Sequence, residues 1–237
     1  MKYIYGPVQS RRLGYSLGVS LTPYKFCSLD CVYCQLGPTT QKTINRDSYL
    51  SENEILQELH NFFAKNKEAR IDYVTFSGFG EPLLNIQIKN IITEIRKFYN
   101  KKIALITNST LLVDKSIRLE ILGLDLIVPS LDAASQAIFE KIDRPHPDIK
   151  IEQVIDALVN LRKEFSKLIW LEIMLVKGLN DTKKELELLK EAVAKINPDK
   201  IQLNSPVRAP KDFKSEALDK KKLEEIRQFF GPKSEIV

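Results

Sequence analysis

Apolar positions along the chain follow two periods. Short, continuous apolar runs rich in β-branched residues lie at 17–21, 73–77, 103–107, 126–130, 170–175 and 200–203. Runs of that length predict buried strands. Between them, apolar residues recur three and four apart, at 55, 56, 59, 62 and 63, at 84, 88, 91, 92, 95 and 98, at 151, 154, 155, 158, 161 and 165, and at 186, 189, 192, 193 and 196. That spacing predicts amphipathic helices. Ser51-Glu52-Asn53-Glu54 forms a capping box for the first of them, and Asn180-Asp181-Thr182 with Glu185 opens another. Asp114 caps a short helix through Leu122. A further short helix over 134–142 must stop at Arg144-Pro145-His146-Pro147, and a last one covers 218–230. Pro129 ends or distorts the ladder of the fourth strand.

Six strands, each followed by a helix, predict a parallel α/β sheet with right-handed crossovers. A closed eight-fold barrel takes about 250 residues. This chain has 237, and its first loop is long. The expectation is therefore a TIM-like open partial (β/α)6 barrel, with a doubly wound sheet as the alternative. No repeat or linker divides the chain, so residues 1–237 read as one domain.

Composition is that of an ordinary globular protein, with 43% hydrophobic and 28% charged residues, and excludes a disordered, collagenous or disulfide-scaffold chain. No apolar run is long enough to span a bilayer, and the N-terminus lacks the apolar stretch of a signal peptide. A cytoplasmic protein is expected. The net charge is +5. Residues 1–46 hold six basic residues (Lys2, Arg11, Arg12, Lys25, Lys42 and Arg46) against Asp30 alone. This excess reads either as solvated surface or as a site for an anion such as RNA. Arg11 and Arg12, in a glycine-containing polar segment, are expected to handle a ligand rather than to support the fold.

All three cysteines, Cys27, Cys31 and Cys34, fall in one short segment. An odd count argues against structural disulfides. Zinc needs a fourth ligand, and the only histidines, His60 and His146, lie far along the chain. A Cys31/Cys34 redox pair leaves Cys27 without a role. Three thiolates also suit three irons of a 4Fe–4S cluster and leave one iron open.

The ends of the predicted strands are unusually polar. They read Ser77-Gly78-Phe79-Gly80-Glu81-Pro82, Thr107-Asn108-Ser109-Thr110, Ser130-Leu131-Asp132, Lys177-Gly178-Leu179-Asn180 and Gln202-Leu203-Asn204-Ser205-Pro206. In a parallel sheet these ends share the ligand-binding edge. Asn108, Asn180 and Asp181 also read as helix caps. Gly-Phe-Gly-Glu-Pro does not: its glycines permit close backbone approach, and a carboxylate with free carbonyls is what an ammonium group requires.

The spacing Cys-x3-Cys-x2-Cys, with Tyr33 before the last cysteine, resembles the signature of the radical S-adenosylmethionine (SAM) superfamily. The resemblance implies a 4Fe–4S cluster on Cys27, Cys31 and Cys34, with SAM chelating the open iron. It implies that Gly78, Phe79, Gly80, Glu81 and Pro82 bind the amino end of SAM and that Tyr33 contacts adenine. Ser130 and Asp132 would meet ribose or methionine, Asn108 would join them, and residues 172–175 and 202–204 would frame the adenine. The implied reaction is reductive cleavage of SAM to methionine and a 5′-deoxyadenosyl radical, which takes hydrogen from a substrate. An external flavodoxin- or ferredoxin-like protein would supply the electron. The segment from Gly6 to Gly14 and the sequence Tyr33-Cys34-Gln35-Leu36-Gly37 resemble a subgroup of iron–sulfur oxidoreductases loosely related to the wyosine-base synthases of tRNA. This likeness runs from Gly6 to Pro210. No cysteine remains for the second cluster of the wyosine enzymes. RNA modification, small-molecule chemistry and activation of a glycyl-radical enzyme are the readings within the superfamily. A non-catalytic zinc or iron–sulfur binding module is the reading outside it.

Overall fold

The structure, a computed structural model, describes residues 1–206 and 215–237; Pro210, the limit of the subgroup likeness, lies outside them. The strands are β1 (Ile4–Ser10), β2 (Gly14–Val19), β3 (Phe26–Cys27), β4 (Gln41–Lys42), β5 (Tyr73–Phe76), β6 (Lys102–Thr107), β7 (Leu126–Pro129), β8 (Leu168–Met174), β9 (Lys200–Asn204) and β10 (Ser234–Ile236). The helices are α1 (Glu52–Lys65), α2 (Ile88–Phe98), α3 (Lys115–Glu120), α4 (Gln136–Ile142), α5 (Ile151–Glu164), α6 (Lys183–Ile196) and α7 (Lys220–Phe230). One sheet runs in the order β1-β2-β5-β6-β7-β8-β9-β10, with β3 and β4 forming a small parallel pair of their own.

The six expected strands are β2 and β5 to β9, and each is parallel to its neighbour. Four strands were not foreseen, the β3–β4 pair and two strands at the edges of the main sheet. β1 pairs antiparallel with β2, with a bulge between Tyr5 and Val8 where Gly6-Pro7 interrupts the apolar pattern. Proline suits such an edge position. β10 is only three residues long and lies parallel on β9. One helix begins later than its periodicity predicts. Pro82–Leu84 form a separate 3-10 turn, because the buried Asn85 side chain donates to the Leu21 carbonyl at 2.9 Å and holds the chain there.

The sheet is not closed, since β1 and β10 remain its edges. Its helix-facing side carries Val74, Phe76, Ile103, Leu105, Ile127, Ile169, Leu171 and Ile173, all in the main apolar core with α1, α2, α5 and α6. Alternate residues face inward. Leu13, Tyr73, Ala104, Leu126 and Val128 form a second apolar cluster with Trp170 against it. Helix on one side and a lumen on the other describe a partial barrel rather than a doubly wound sheet.

The β1–β2 turn braces this curvature. Arg12 donates through Nη2 to Glu172 of β8, although β2 and β8 are separated by three strands in the sheet. Asn204 Nδ2 donates to the same Glu172 oxygen at 3.1 Å. Arg11 Nη1 reaches the Val237 carbonyl at 3.1 Å, from one edge of the sheet to the other. The expectation that both arginines serve a ligand and not the fold is therefore corrected for Arg12: its partner is a buried carboxylate of the chain itself, with 7% side-chain exposure. Removing one member of such a pair leaves the other unpaired and costs about 3 kcal/mol or more. R12Q is expected to lower the urea midpoint markedly and R11Q to leave it nearly unchanged, as equilibrium unfolding will read.

Candidate active site

The long loop after β2 carries the cysteines. Cys27 closes β3, which pairs with β4. Successive turns follow, with the Cys34 amide donating to the Cys31 carbonyl and the Gly37 amide to the Cys34 carbonyl, both at 3.1 Å. The Asp30 carboxylate accepts from the Thr39 amide at 2.7 Å and ties the loop's two limbs together. The segment after α4 holds the loop from the other side. Asp30 N–H donates to the Asp143 carbonyl at 2.9 Å, Val32 N–H to Ile142 at 2.8 Å, and His146 N–H to Ser28 at 2.9 Å. In the sequence this segment reads only as a helix breaker.

The glycine-rich turn after β5 lies directly against the cysteine loop. The Glu81 amide donates to the Phe26 carbonyl at 3.0 Å, and the Lys25 amide donates back to the Phe79 carbonyl at 2.5 Å. A Cβ on Gly80 would sit 2.0 Å from the Phe26 oxygen. Gly78 adopts φ +115°, which only glycine takes without strain. The Phe79 ring packs between Tyr5 and Tyr24, with centroids 6.4 and 5.9 Å away. Tyr5, on the unforeseen β1, lies over Gly18 and its hydroxyl meets Ser77 Oγ at 2.6 Å.

Glu81 is placed differently from its expected role. Its carboxylate is 2% exposed and accepts from Thr107 Oγ1 at 2.7 Å, the Asn108 amide at 2.8 Å and the Leu83 amide at 3.1 Å. It braces the ends of β5 and β6 and caps the turn that starts at Pro82. Burial pushes this carboxyl up to about 7 against the pull of those three donors. All three of its donors are groups of the chain itself.

Tyr33, Asn108, Ser130 and Asp132 line one cavity, together with Leu29, Phe139 and Asp143. The Tyr33 hydroxyl donates to Asp132. Asp132 also accepts from the Met174 amide at 2.8 Å, and its own carbonyl accepts from Asn180 Nδ2 at 2.8 Å. Asn180 is thus a brace, and Thr182 is the actual cap of α6. Burial raises the Asp132 carboxyl to about 7. Asp143 moves further in the same direction through burial and then the neighbouring Asp132 charge. One Asp143 carboxylate oxygen is buried without a partner. Of residues 172–175 and 202–204, Met174 reaches the cavity's Asp132 through its amide, whereas Glu172 bonds Arg12 and Asn204, and Gln202 donates to Glu235 at 2.9 Å.

All three thiols are free and half-buried. Burial raises the Cys27 thiol to about 12 and shifts Cys31 the same way. Nitrogen donors approach two of the sulfurs, Lys25 Nζ at 3.0 Å from Cys34 and Asn108 Nδ2 at 3.3 Å from Cys27. Among the described residues, no three His, Cys, Asp or Glu side chains converge on a point where one ion could sit. Three separated sulfurs with N–H donors suit a cluster in which each thiolate meets its own iron. Sequence reasoning passed over Lys25, Tyr5 and Asp143. Only Lys25, a lone cation two residues before Cys27, left a local signal.

Two expectations follow from this geometry. G80A forces a side chain into the Phe26 carbonyl and separates the two loops, so anaerobic reconstitution should leave the variant with far less iron than wild type. E81Q turns a donor toward donors at a position where each charged bond is worth about 1.5–3 kcal/mol. Its melting temperature should fall clearly, and iron uptake should fall with it, in thermal melts and iron assays.

A radical SAM superfamily profile matches residues 21–192. A UPF0026 protein of Methanocaldococcus jannaschii is 34% identical over 237 residues, covering 100% of this chain and 73% of its own. A protein of Brachyspira hyodysenteriae named GTPase Obg is 38% identical over 229 residues, or 97% of this chain, which spans only 33% of that longer protein. The crystal structure of a radical SAM methyltransferase from Sphaerobacter thermophilus superposes with a TM-score of 0.73 at 15% identity, over 94% of this chain and 65% of that one. Radical SAM proteins bind SAM and a 4Fe–4S cluster. With its profile spanning most of the sequence and its cysteines seated against the glycine-rich turn, the chain belongs to the radical SAM superfamily.

Proposed function

We propose that this protein is an enzyme whose single core domain cleaves SAM reductively and directs the resulting radical onto a substrate held in the barrel mouth. The observation that carries this reading is the direct seating of the cysteine loop on the Gly78–Pro82 turn, through bonds in both directions. Cys27, Cys31 and Cys34 would hold three irons of the cluster. When bound, the cluster and SAM supply one-electron cleavage to methionine and a 5′-deoxyadenosyl radical. The chain's own contribution is placement. The carbonyls of Gly78 and Gly80 would accept from the SAM ammonium, Tyr33 would flank the adenine, and Ser130, Asp132 and Asn108 would meet the ribose and methionine portions.

The substrate reading narrows when the basic residues of the N-terminal part are followed into the structure. Arg12 pairs with Glu172, Arg46 with Glu120, Lys2 with Glu54, and Lys25 is buried. Four of the six are thereby paired or buried, which favours small-molecule chemistry over RNA modification. The electron comes from an external flavodoxin- or ferredoxin-like donor. Free thiols fit a reducing, cytoplasmic setting. No helix among the described residues is long and apolar enough to cross a membrane.

Anaerobic protein given SAM and a strong reductant should carry about four irons per chain and release 5′-deoxyadenosine and methionine in equal amounts. C27A, C31A and C34A should each abolish that release, because no spare thiol exists. Release at the wild-type rate from any one of them, or colourless protein holding stoichiometric zinc, overturns the assignment.

A further inference from the structure

Lys25 is 2% exposed and is the one buried lysine among the described residues. Lysine is almost never buried without a partner. Its backbone is left-handed, at φ +59°, a conformation uncommon outside glycine and asparagine. Bonds on both sides impose it. The Lys25 amide donates to Phe79, and its carbonyl accepts from the amides of Thr40 and Gln41, both at 3.2 Å. This geometry sends the ammonium to Cys34 Sγ at 3.0 Å. Among the described residues, that sulfur is its only hydrogen-bond or ion-pair partner.

An ammonium has three N–H donors. Withdrawn from water and offered a single neutral thiol, it is poorly compensated; offered a thiolate, it is paired. A second donor serves the opposite ligand. Asn108 Oδ1 accepts from Thr110 N–H at 3.1 Å and from Thr110 Oγ1 at 2.7 Å, which turns Nδ2 toward Cys27 Sγ at 3.3 Å and Ser28 Oγ at 2.9 Å. Two of the three cysteine sulfurs thus carry an N–H donor, and one of those donors bears a full positive charge.

We propose that Lys25 is a positioning residue that sets the reduction potential of the cluster, its ammonium on the Cys34 sulfur favouring the reduced state. The inference rests on the reading of the three cysteines as cluster ligands. Reduction adds one electron, which the external donor protein loses; no bond forms or breaks and no proton is required. The cluster with its thiolates would become more negative by one charge overall, and a fixed cation in a poorly solvated site stabilises that form. Asn108, a neutral donor, acts in the same sense without the charge. The result is a cluster that a donor of moderate potential can reduce.

Reconstituted wild type, K25M, K25Q and K25R will be titrated with reductant and mediators in the absence of SAM, following the electron paramagnetic resonance of the reduced cluster, with iron counted in parallel. Wild-type iron content with a tenfold smaller reduction equilibrium constant in K25M, about 59 mV for a one-electron couple, is the expected result. K25Q should fall between K25M and wild type, and K25R should stay near wild type. A K25M midpoint equal to wild type overturns the proposal, as does a K25R midpoint as low as that of K25M. If K25M takes up no iron, K25Q is judged on the same criterion; if neither does, the ammonium serves assembly and the tuning role is overturned. An unchanged midpoint with weakened SAM binding assigns Lys25 to the SAM carboxylate and overturns it too. Wild type that binds no cluster refutes the cluster reading itself, an outcome distinct from all of these.

Discussion

The Phe26 carbonyl accepts the Glu81 amide only because residue 80 has no side chain to keep the two strands of backbone apart. Most of the site's geometry depends on that approach. It sets the cysteine loop on the end of β5, directs Lys25 toward Cys34, and leaves the carbonyls of residues 78–80 beside the loop. Glu81 secures the arrangement from beneath, because its carboxylate joins β5 to β6 through Thr107 and Asn108. A motif that reads as a ligand-binding string is thus first a packing device. Its glycines permit the contact, its glutamate locks the layer below, and its backbone is what remains for a ligand.

A second constraint acts across the barrel lumen. The parallel strands do not close into a barrel, so curvature must be held by contacts other than the sheet ladder. Leu13 enters the lumen cluster with Tyr73, Ala104, Leu126 and Val128, and Arg12 crosses to Glu172. The lumen is consequently polar in its middle tiers, with Ser16 Oγ and Thr75 Oγ1 2.7 Å apart and Gln202 bonded to Glu235. A hairpin added to one edge does the work that two further β/α units do in a closed barrel.

The repeating architecture was legible because each strand and helix announces itself by a local period, and the parallel order follows from their alternation. The cysteines were legible as candidate ligands because three thiols in one short segment have few chemical uses. β1 was not, because Gly6-Pro7 breaks its alternation and its partner β2 is recognisable only once paired. The side-chain direction of Glu81 was hidden for a different reason. A carboxylate after two glycines looks available, and only the positions of Thr107 and Asn108, on another strand, show that it is engaged. Arg12 failed in the same way: its partner lies 160 residues away in sequence. Local patterns report elements and motifs; which donor meets which acceptor is decided by the curvature of the whole sheet.

The electrostatics of the cavity complete this picture. Glu81, Asp132 and Asp143 are all shifted upward, and burial is the first cause in each case. Asp132 and Asp143 line the same cavity as Tyr33, Asn108 and Ser130, and an oxygen of Asp143 lacks a partner. Carboxylates gathered out of water are unfavourable unless something positive shares the space. SAM brings an ammonium and a sulfonium. On the proposed reading, Lys25 would offer positive charge to the cysteine sulfurs and Asp132 negative charge on the cavity side.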